Sequence, residues 1–184
     1  MEKTRIRRPV VWLLALVAIA LAYHAWSLSG RGGYSGKPVL NIKHELCFGS
    51  DHGQGNVLAI QPWMQNEDYS CAKAFVAKID GYFGAAQRRG WLRRNTVVVL
   101  PEYLGAWLLC AGEKQSMWQA TSVDAAMKWK VLANAPAFAW RAASAPCADR
   151  AKYAVFRTSA ERMASIYHAT LSQLARDYHV TIVG

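Results

Sequence analysis

The chain has 184 residues, of which 53% are hydrophobic, and it carries a formal net charge of +10 at pH 7. A basic chain can bind nucleic acid, but this one has no zinc-finger, RRM or helix-turn-helix pattern, so we predict no nucleic-acid partner. Much of the charge is local, because basic residues cluster at the amino terminus and again in residues 88–94. We interpret the second cluster as the end of a helix, where cations complement the helix dipole.

The amino terminus has the pattern of an export signal. Residues 10–22 are an unbroken apolar run, which extends to about residue 28 with His24 as the strongly polar exception. The shorter run has the length of a signal-peptide apolar region, and the longer one reaches the lower range for a membrane-spanning helix. The residues that form the preceding basic cluster are Lys3, Arg5, Arg7 and Arg8.

Two interpretations of residues 1–29 remain open, an uncleaved signal anchor and a cleaved signal peptide. Trp12 and Trp26 would lie near the two membrane interfaces of an anchor, and we favour this interpretation, with residues 10–28 in the membrane. Small residues at 27–29 also fit cleavage before Gly30. The positive-inside rule predicts a single-pass membrane protein whose domain lies on the periplasmic or extracellular side.

The four cysteines are Cys47, Cys71, Cys110 and Cys147. Export permits disulfides, and four cysteines allow three pairings among which the sequence does not choose; four buried free thiols are the alternative. No cysteine has the strand-to-helix elbow or electropositive surroundings of a nucleophile, so we predict none to be catalytic.

Residues 30–55 are rich in glycine and serine, and we interpret them as a spacer between membrane and domain. The segment lacks the Gly-Lys-Ser/Thr of a phosphate-binding loop. His44, Cys47 and His52 do not complete a tetrahedral metal site. We therefore predict no metal and no cofactor.

Residues 56–184 alternate between strand and helix patterns, which predicts an α/β domain. Apolar runs predict buried strands at 56–61, 96–101 and 180–183. Helical periodicity predicts a crossover helix over 70–89, and a capping box from Thr158 to Glu161 predicts the start of another helix. A crossover helix between strands is typical of parallel pairing. The predicted apolar face of the first helix comprises Ala72, Phe75, Val76, Ile79, Phe83 and Ala86.

Tryptophans recur at a spacing of eleven residues, at Trp107, Trp118, Trp129 and Trp140. Eleven residues are about three helical turns. Gly112 and Pro136 nevertheless argue against one continuous helix. We interpret the tryptophans as core residues; an aromatic lid or a surface resting on the membrane is the alternative.

Glu102 is the candidate site residue. It follows the apolar run 96–100 at the point where the predicted strand ends. In open α/β sheets, ligands and chemistry are found at the carboxyl ends of the strands. We therefore expect the Glu102 side chain to point into a pocket at this edge, near the strand ends that contain Ile60 and Val183.

The ordered set of elements resembles the amino-terminal portion of the nitrilase, or carbon–nitrogen hydrolase, superfamily. The resemblance covers residues 56–184, and its sharpest motif is Leu100-Pro101-Glu102, which is similar to the Phe-Pro-Glu around the catalytic glutamate of the family. It implies a partial α-β-β-α sandwich. It also implies hydrolysis of a small amide or nitrile through a Glu–Lys–Cys triad, with Glu102 as the base.

In the family, the lysine and the cysteine follow the Ile-Val-Gly strand, which ends at Gly184 here. We therefore expect a truncated domain that is inactive alone. The alternatives are an acyltransferase of the apolipoprotein N-acyltransferase type and a non-catalytic, membrane-tethered interaction module. The expected partners are a small-molecule substrate and the membrane, and homo-oligomerisation is left open.

Overall fold

The computed structural model describes residues 3–50 and 52–184, and the side chains from residue 8 onward in those ranges. The side chains of Lys3, Arg5 and Arg7, in the predicted basic cluster, lie outside the described part. The α-helices are α1 (Lys3–Leu28), α2 (Ala72–Arg88), α3 (Gln115–Trp118), α4 (Val123–Ala133), α5 (Ala135–Ala143), α6 (Arg150–Arg157) and α7 (Ala160–Tyr178). The strands are β1 (Asn56–Ala59), β2 (Thr96–Val99) and β3 (Thr181–Val183), and short 3-10 helices cover Asn66–Tyr69 and Ala106–Cys110.

Helix α1 confirms the predicted apolar helix at the amino terminus. Its segment Arg8–Leu28 is long and apolar enough to cross a membrane, a property that signal sequences share. Nearly all of this segment is exposed, including Trp12 and Leu21. A helix that is apolar on all sides is normally buried in a protein core or in a membrane, and the described residues bury little of this one.

The sheet has the strand order β1-β2-β3, and both pairs are parallel. Val97 of β2 lies opposite Val57 of β1 and Thr181 of β3. The three predicted strands and the crossover helix are confirmed, although each is shorter than predicted. Helix α2 begins after Cys71, whose sulfur accepts a hydrogen bond from the Ala74 N–H at 3.4 Å.

Only one face of the sheet is covered by the described residues. Val98, at the centre of that face, is fully buried in the core with residues of α2 and α7. On the opposite face Val57 is 71% exposed and Val183 is 54% exposed. The prediction of buried strands is therefore wrong for the outer face of the sheet, where Val99 of β2 is also 37% exposed, because the helices pack only against the other face. The core residues from α2 and α7 are Phe75, Ile79, Phe83 and Leu174.

The glycine-rich segment packs against the domain over its first half, so the prediction of a spacer over 30–55 is wrong there. The buried ammonium of Lys78 donates to the Val39 carbonyl at 2.6 Å, and the Asn41 N–H donates to the Tyr82 hydroxyl at 3.4 Å. Further along the segment, Leu46 and Phe48 are highly exposed.

Two further expectations fail for local reasons. The predicted capping box does not form, because Thr158 ends α6 and its hydroxyl donates to the Val155 carbonyl. Ser159 precedes α7, but its hydroxyl contacts Lys130 instead of the helix amides. The four cysteines are free, and Cys47 and Cys147 are exposed, so neither a disulfide nor four buried thiols describes them.

The tryptophans lie on four separate short helices, which agrees with the prediction that no single helix joins them. Their interpretation as core residues holds for Trp118, which is buried. It is wrong for Trp140, which is 72% exposed, and for Trp107 and Trp129, which are 42% and 37% exposed.

Candidate functional site

Glu102 lies just beyond the carboxyl end of the central strand. The last ladder bonds run from Ile60 N–H to Val99 O at 3.0 Å and from Leu100 N–H to Val183 O at 2.8 Å. The chain then turns, and Leu104 N–H donates to Pro101 O at 3.1 Å. Proline has no N–H to continue the ladder.

The turn leaves the Glu102 side chain exposed to solvent. The expectation that it points into a pocket is therefore wrong for the residues that the structure describes. Glu102 does lie at the carboxyl edge of the sheet, as the sequence predicted. A catalytic carboxylate needs polar or charged neighbours. For Glu102 these neighbours would have to be additional groups at this edge of the sheet.

Tyr167 of α7 lies at the same edge, and the sequence analysis did not single it out as a site residue. Its hydroxyl is buried and has no hydrogen-bond partner among the described residues. A Cβ at Gly184 would lie 2.9 Å from this hydroxyl and 3.1 Å from Leu100 Cβ, so Tyr167 reaches the ends of β2 and β3. Burial raises the pKa of Tyr167, which keeps its hydroxyl protonated.

A buried ionic cluster surrounds Glu113, which precedes α3. Its carboxylate is 2.5 Å from the Lys130 ammonium, and Glu113 and Lys130 are 1% and 2% exposed. Arg31 and Arg162 approach the carboxylate at 3.2 and 3.4 Å, and Asn134 donates to it at 2.8 Å. Three cations around one carboxylate leave an excess of positive charge.

The electrostatics of the cluster favour the charged form of Glu113. Burial alone would raise the pKa of this carboxyl, but the Lys130 ammonium and the hydrogen bonds from Lys130 and Asn134 outweigh it and lower the pKa. A buried carboxylate held in this way is a structural anion, because its oxygens are already occupied by donors. No sequence pattern indicated this cluster, since the partners of Glu113 come from distant segments.

Cys110 lies next to this cluster, so a glutamate, a lysine and a cysteine occur together in the core. Burial raises the pKa of the Cys110 thiol to about 11, with a contribution from Glu113 that Lys130 opposes. The thiol is therefore protonated at neutral pH, and the thiolate is the nucleophilic form. Cys110 is 6% exposed. Burial and protonation thus give this cysteine, as the structure describes it, none of the properties of an activated nucleophile.

A cleft of about 390 Å³ lies between the carboxyl end of β1, the end of α2 and residues 41–45. Tyr82 lines it and accepts a hydrogen bond from the Trp63 N–H at 3.0 Å. Arg89 also lines the cleft and forms an ion pair with Glu45, another lining residue. Glu102 is not among the lining residues, so the cleft is separate from the predicted site.

The described part of the chain contains no group of three metal-ligating side chains, and His44, Cys47 and His52 do not converge. The sequence matches no protein-family model and no curated protein, and the structure matches no solved structure.

Proposed function

We propose that this chain is the amino-terminal part of an exported, membrane-anchored carbon–nitrogen hydrolase that acts on a small amide or nitrile, with Glu102 as the general base. The observation that carries the proposal is the position of Glu102 directly after the central strand of a parallel sheet. Chain segments that follow either neighbouring strand can reach this position, which is why such edges hold active sites.

The chemistry requires two further groups. A carboxylate takes the proton of a cysteine thiol, and the thiolate attacks the amide carbon. An ammonium stabilises the charge that develops on the oxygen. The carbon–nitrogen bond then breaks, the nitrogen leaves with the proton that the carboxylate had taken, and water hydrolyses the thioester. The resemblance assigns the lysine and the cysteine to positions after β3, beyond residue 184.

The uncovered face of the sheet supports the proposed sandwich. Val57, Val99 and Val183 form an exposed apolar surface on that face. Apolar sheet faces are stable when a second layer covers them. A second sheet on this face would complete the α-β-β-α arrangement and would bring additional chain close to Glu102. Desolvation by that chain would convert the exposed carboxylate into an effective base.

The proposed location is the periplasmic or extracellular side of the membrane, with α1 as the single anchor. The support is the basic cluster before the apolar helix, because positive residues favour the cytoplasmic side. Both interpretations of the leader export the domain, so the location does not depend on cleavage.

The test is an activity assay on the product of the whole gene in native membranes. Ammonia release is measured with a panel of short-chain amides and nitriles. The expected result is turnover of at least one compound and a loss of about 100-fold or more in Glu102→Gln, which is typical of removing a general base. The control is Glu161→Gln, because Glu161 on α7 has a side chain that is 86% exposed.

Wild-type activity in Glu102→Gln would remove Glu102 from the mechanism. Release of ammonia from no member of the panel, together with transfer of an acyl group to an added amine acceptor, would favour the acyltransferase. The absence of both hydrolysis and acyl transfer would favour the membrane-tethered interaction module.

A further inference from the structure

Helix α5 is an apolar helix that the domain does not bury. Its sequence is Ala-Pro-Ala-Phe-Ala-Trp-Arg-Ala-Ala, and none of its residues is buried. Phe138 packs partly against the core, whereas Trp140 is 72% exposed. A helix that is apolar on nearly all sides is normally buried in protein or in a membrane. The exposed side of α5 therefore lacks an apolar partner among the described residues.

The position of α5 relative to α1 indicates what that partner is. The N–H of Ala135, the first residue of α5, donates to the hydroxyl of Tyr23 on α1 at 2.9 Å. The same hydroxyl donates to the Leu132 carbonyl, at the end of α4, at 3.0 Å. Tyr23 stacks near Trp26, with 5.9 Å between the ring centroids. Tyrosine and tryptophan near the end of a membrane-spanning helix mark the interface with water.

The connection between α1 and the domain is tight. Lys114 is 8% exposed, and its ammonium donates to the Trp26 carbonyl at 2.6 Å and also to Ser29. Arg31 Nε donates to the Ser27 carbonyl at 2.7 Å. The carbonyls of Trp26 and Ser27, in the last turn of α1, thus accept from Lys114 and Arg31, and these contacts hold the end of α1 against the domain. A bilayer that α1 crosses must then lie against the helices that contact Tyr23.

We propose that the exposed side of α5, together with Trp129 and Leu132 of α4, is a docking surface for the phospholipid bilayer that α1 crosses. We call it the α4–α5 surface. Its occupant is the headgroup and upper acyl region of the outer leaflet. Trp129 and Leu132 are 37% and 53% exposed. They lie three residues apart, so they share a helix face. Apolar and aromatic side chains on a surface helix insert into this region of a bilayer.

The basic residues near the α4–α5 surface are also compatible with a bilayer as its occupant. Lys128 on α4 is exposed, and Arg141 on α5 follows Trp140 directly. Basic residues beside an inserted apolar face attract anionic headgroups. The surface is continuous with the end of α1, whereas a docked second copy of this chain would have to avoid both α1 and the bilayer. The inference requires α1 to cross the membrane, and it is independent of the proposed hydrolysis.

The experiment uses the full chain in vesicles made from equal parts of phosphatidylcholine and phosphatidylglycerol, with brominated acyl chains that quench tryptophan fluorescence on contact. Trp140→Phe is compared with Trp63→Phe. Trp63 is the matched control because it is 43% exposed but lies at the cleft near Lys78. We expect Trp140→Phe to lose a quenched component and Trp63→Phe to lose an unquenched one. Equal behaviour of the two variants would overturn the proposal.

Two further measurements distinguish the bilayer from a second copy of the chain and from general quenching of the whole domain. The quenching of Trp140 should persist when the protein-to-lipid ratio is lowered until vesicles hold single chains; its disappearance would assign the α4–α5 surface to a second copy and overturn the proposal. An environment-sensitive fluorophore on Ala139→Cys, in a cysteine-free background, should be quenched by bilayer-embedded spin labels, whereas one on Ala169→Cys of α7 should not. Quenching at both positions or at neither would also contradict the assignment.

Discussion

The ammonium of Lys114 lies 2.6 Å from the backbone carbonyl of Trp26 and 4.7 Å from the centroid of the Trp26 ring. A buried lysine of the domain therefore caps the carboxyl end of the apolar helix α1. Cations at a helix carboxyl terminus complement the helix dipole, and here the contact also ties α1 to the domain. Helix α1 is structurally part of the domain at its last turn.

This contact predicts that α1 remains attached. Cleavage before Gly30 would remove Tyr23, Trp26 and Ser29, and it would leave the Lys114 ammonium without its acceptors. Ser27, in the predicted cleavage segment, is helical and buried. We expect amino-terminal sequencing of the protein from membranes to begin before residue 8. A protein that begins at Gly30 would contradict this prediction.

Breaking the buried pair of Glu113 and Lys130 should be costly. In Glu113→Gln, the Lys130 ammonium would stay buried beside two guanidinium groups without a counter-charge. We expect a loss of about 3–5 kcal/mol in the free energy of unfolding, measured by urea denaturation. Glu161→Gln, at an exposed pair, should cost less than about 1 kcal/mol. Equal small losses would show that the cluster is not buried as described.

The same carboxyl should make stability depend on acid pH. The pKa of Glu113 is lower in the folded protein than its ordinary value of about 4.3, so the unfolded state binds its proton more readily. The stabilisation is present above that ordinary value and is lost as the pH falls through the lower folded pKa. We expect Tm to fall less steeply on acidification below about pH 4.3 in Glu113→Gln than in wild type. Parallel curves would contradict the prediction.

Tyr167 and Tyr178 offer a matched pair on α7. The Tyr167 hydroxyl is buried without a partner among the described residues, whereas the Tyr178 hydroxyl donates to Asp80 at 2.7 Å. Tyr167→Phe should leave the free energy of unfolding unchanged or raise it by about 1 kcal/mol, and Tyr178→Phe should lower it by about 1 kcal/mol. Equal destabilisation would indicate that Tyr167 has a partner outside the described residues.

The exposed cysteines report the side of the membrane. Cys47 and Cys147 are exposed, whereas Cys110 is buried. With the cytoplasmic membrane intact and under reducing conditions, we expect a membrane-impermeant maleimide to label the protein. The double variant Cys47→Ser, Cys147→Ser should lose most of this label. Labelling of wild type only after lysis would place the domain in the cytoplasm.

The sequence predicted those elements whose signal is local. The period of Phe75, Ile79 and Phe83 indicated α2, and the apolar run before Leu100 indicated β2. Both patterns arise because one side of the segment packs against a neighbouring layer. They can therefore be recognised in the sequence of the segment alone, without the rest of the fold. The parallel order of the strands followed from the intervening helix.

The sequence did not predict interactions between distant segments. Glu113 meets Arg31 and Arg162, which are 82 and 49 residues away, and no spacing rule joins them. Thr158, the predicted cap of α7, ends α6 instead, and Ser159, which precedes α7, accepts a hydrogen bond from Lys130. Such choices depend on which polar groups become buried together, and burial is a property of the whole fold. The exposure of Glu102 could not be predicted for the same reason. It depends on which other parts of the fold cover the carboxyl edge of the sheet.

The proposed role of Glu102 as the base of a carbon–nitrogen hydrolase is tested most directly by intact mass measurement after brief incubation with an amide substrate. The product of the whole gene should carry a covalent acyl adduct that hydroxylamine removes, as expected for a thioester. Glu102→Gln should carry none while retaining the wild-type circular dichroism spectrum, since the amide keeps the shape of the side chain and loses the base. The same adduct at the same rate in Glu102→Gln would contradict this role.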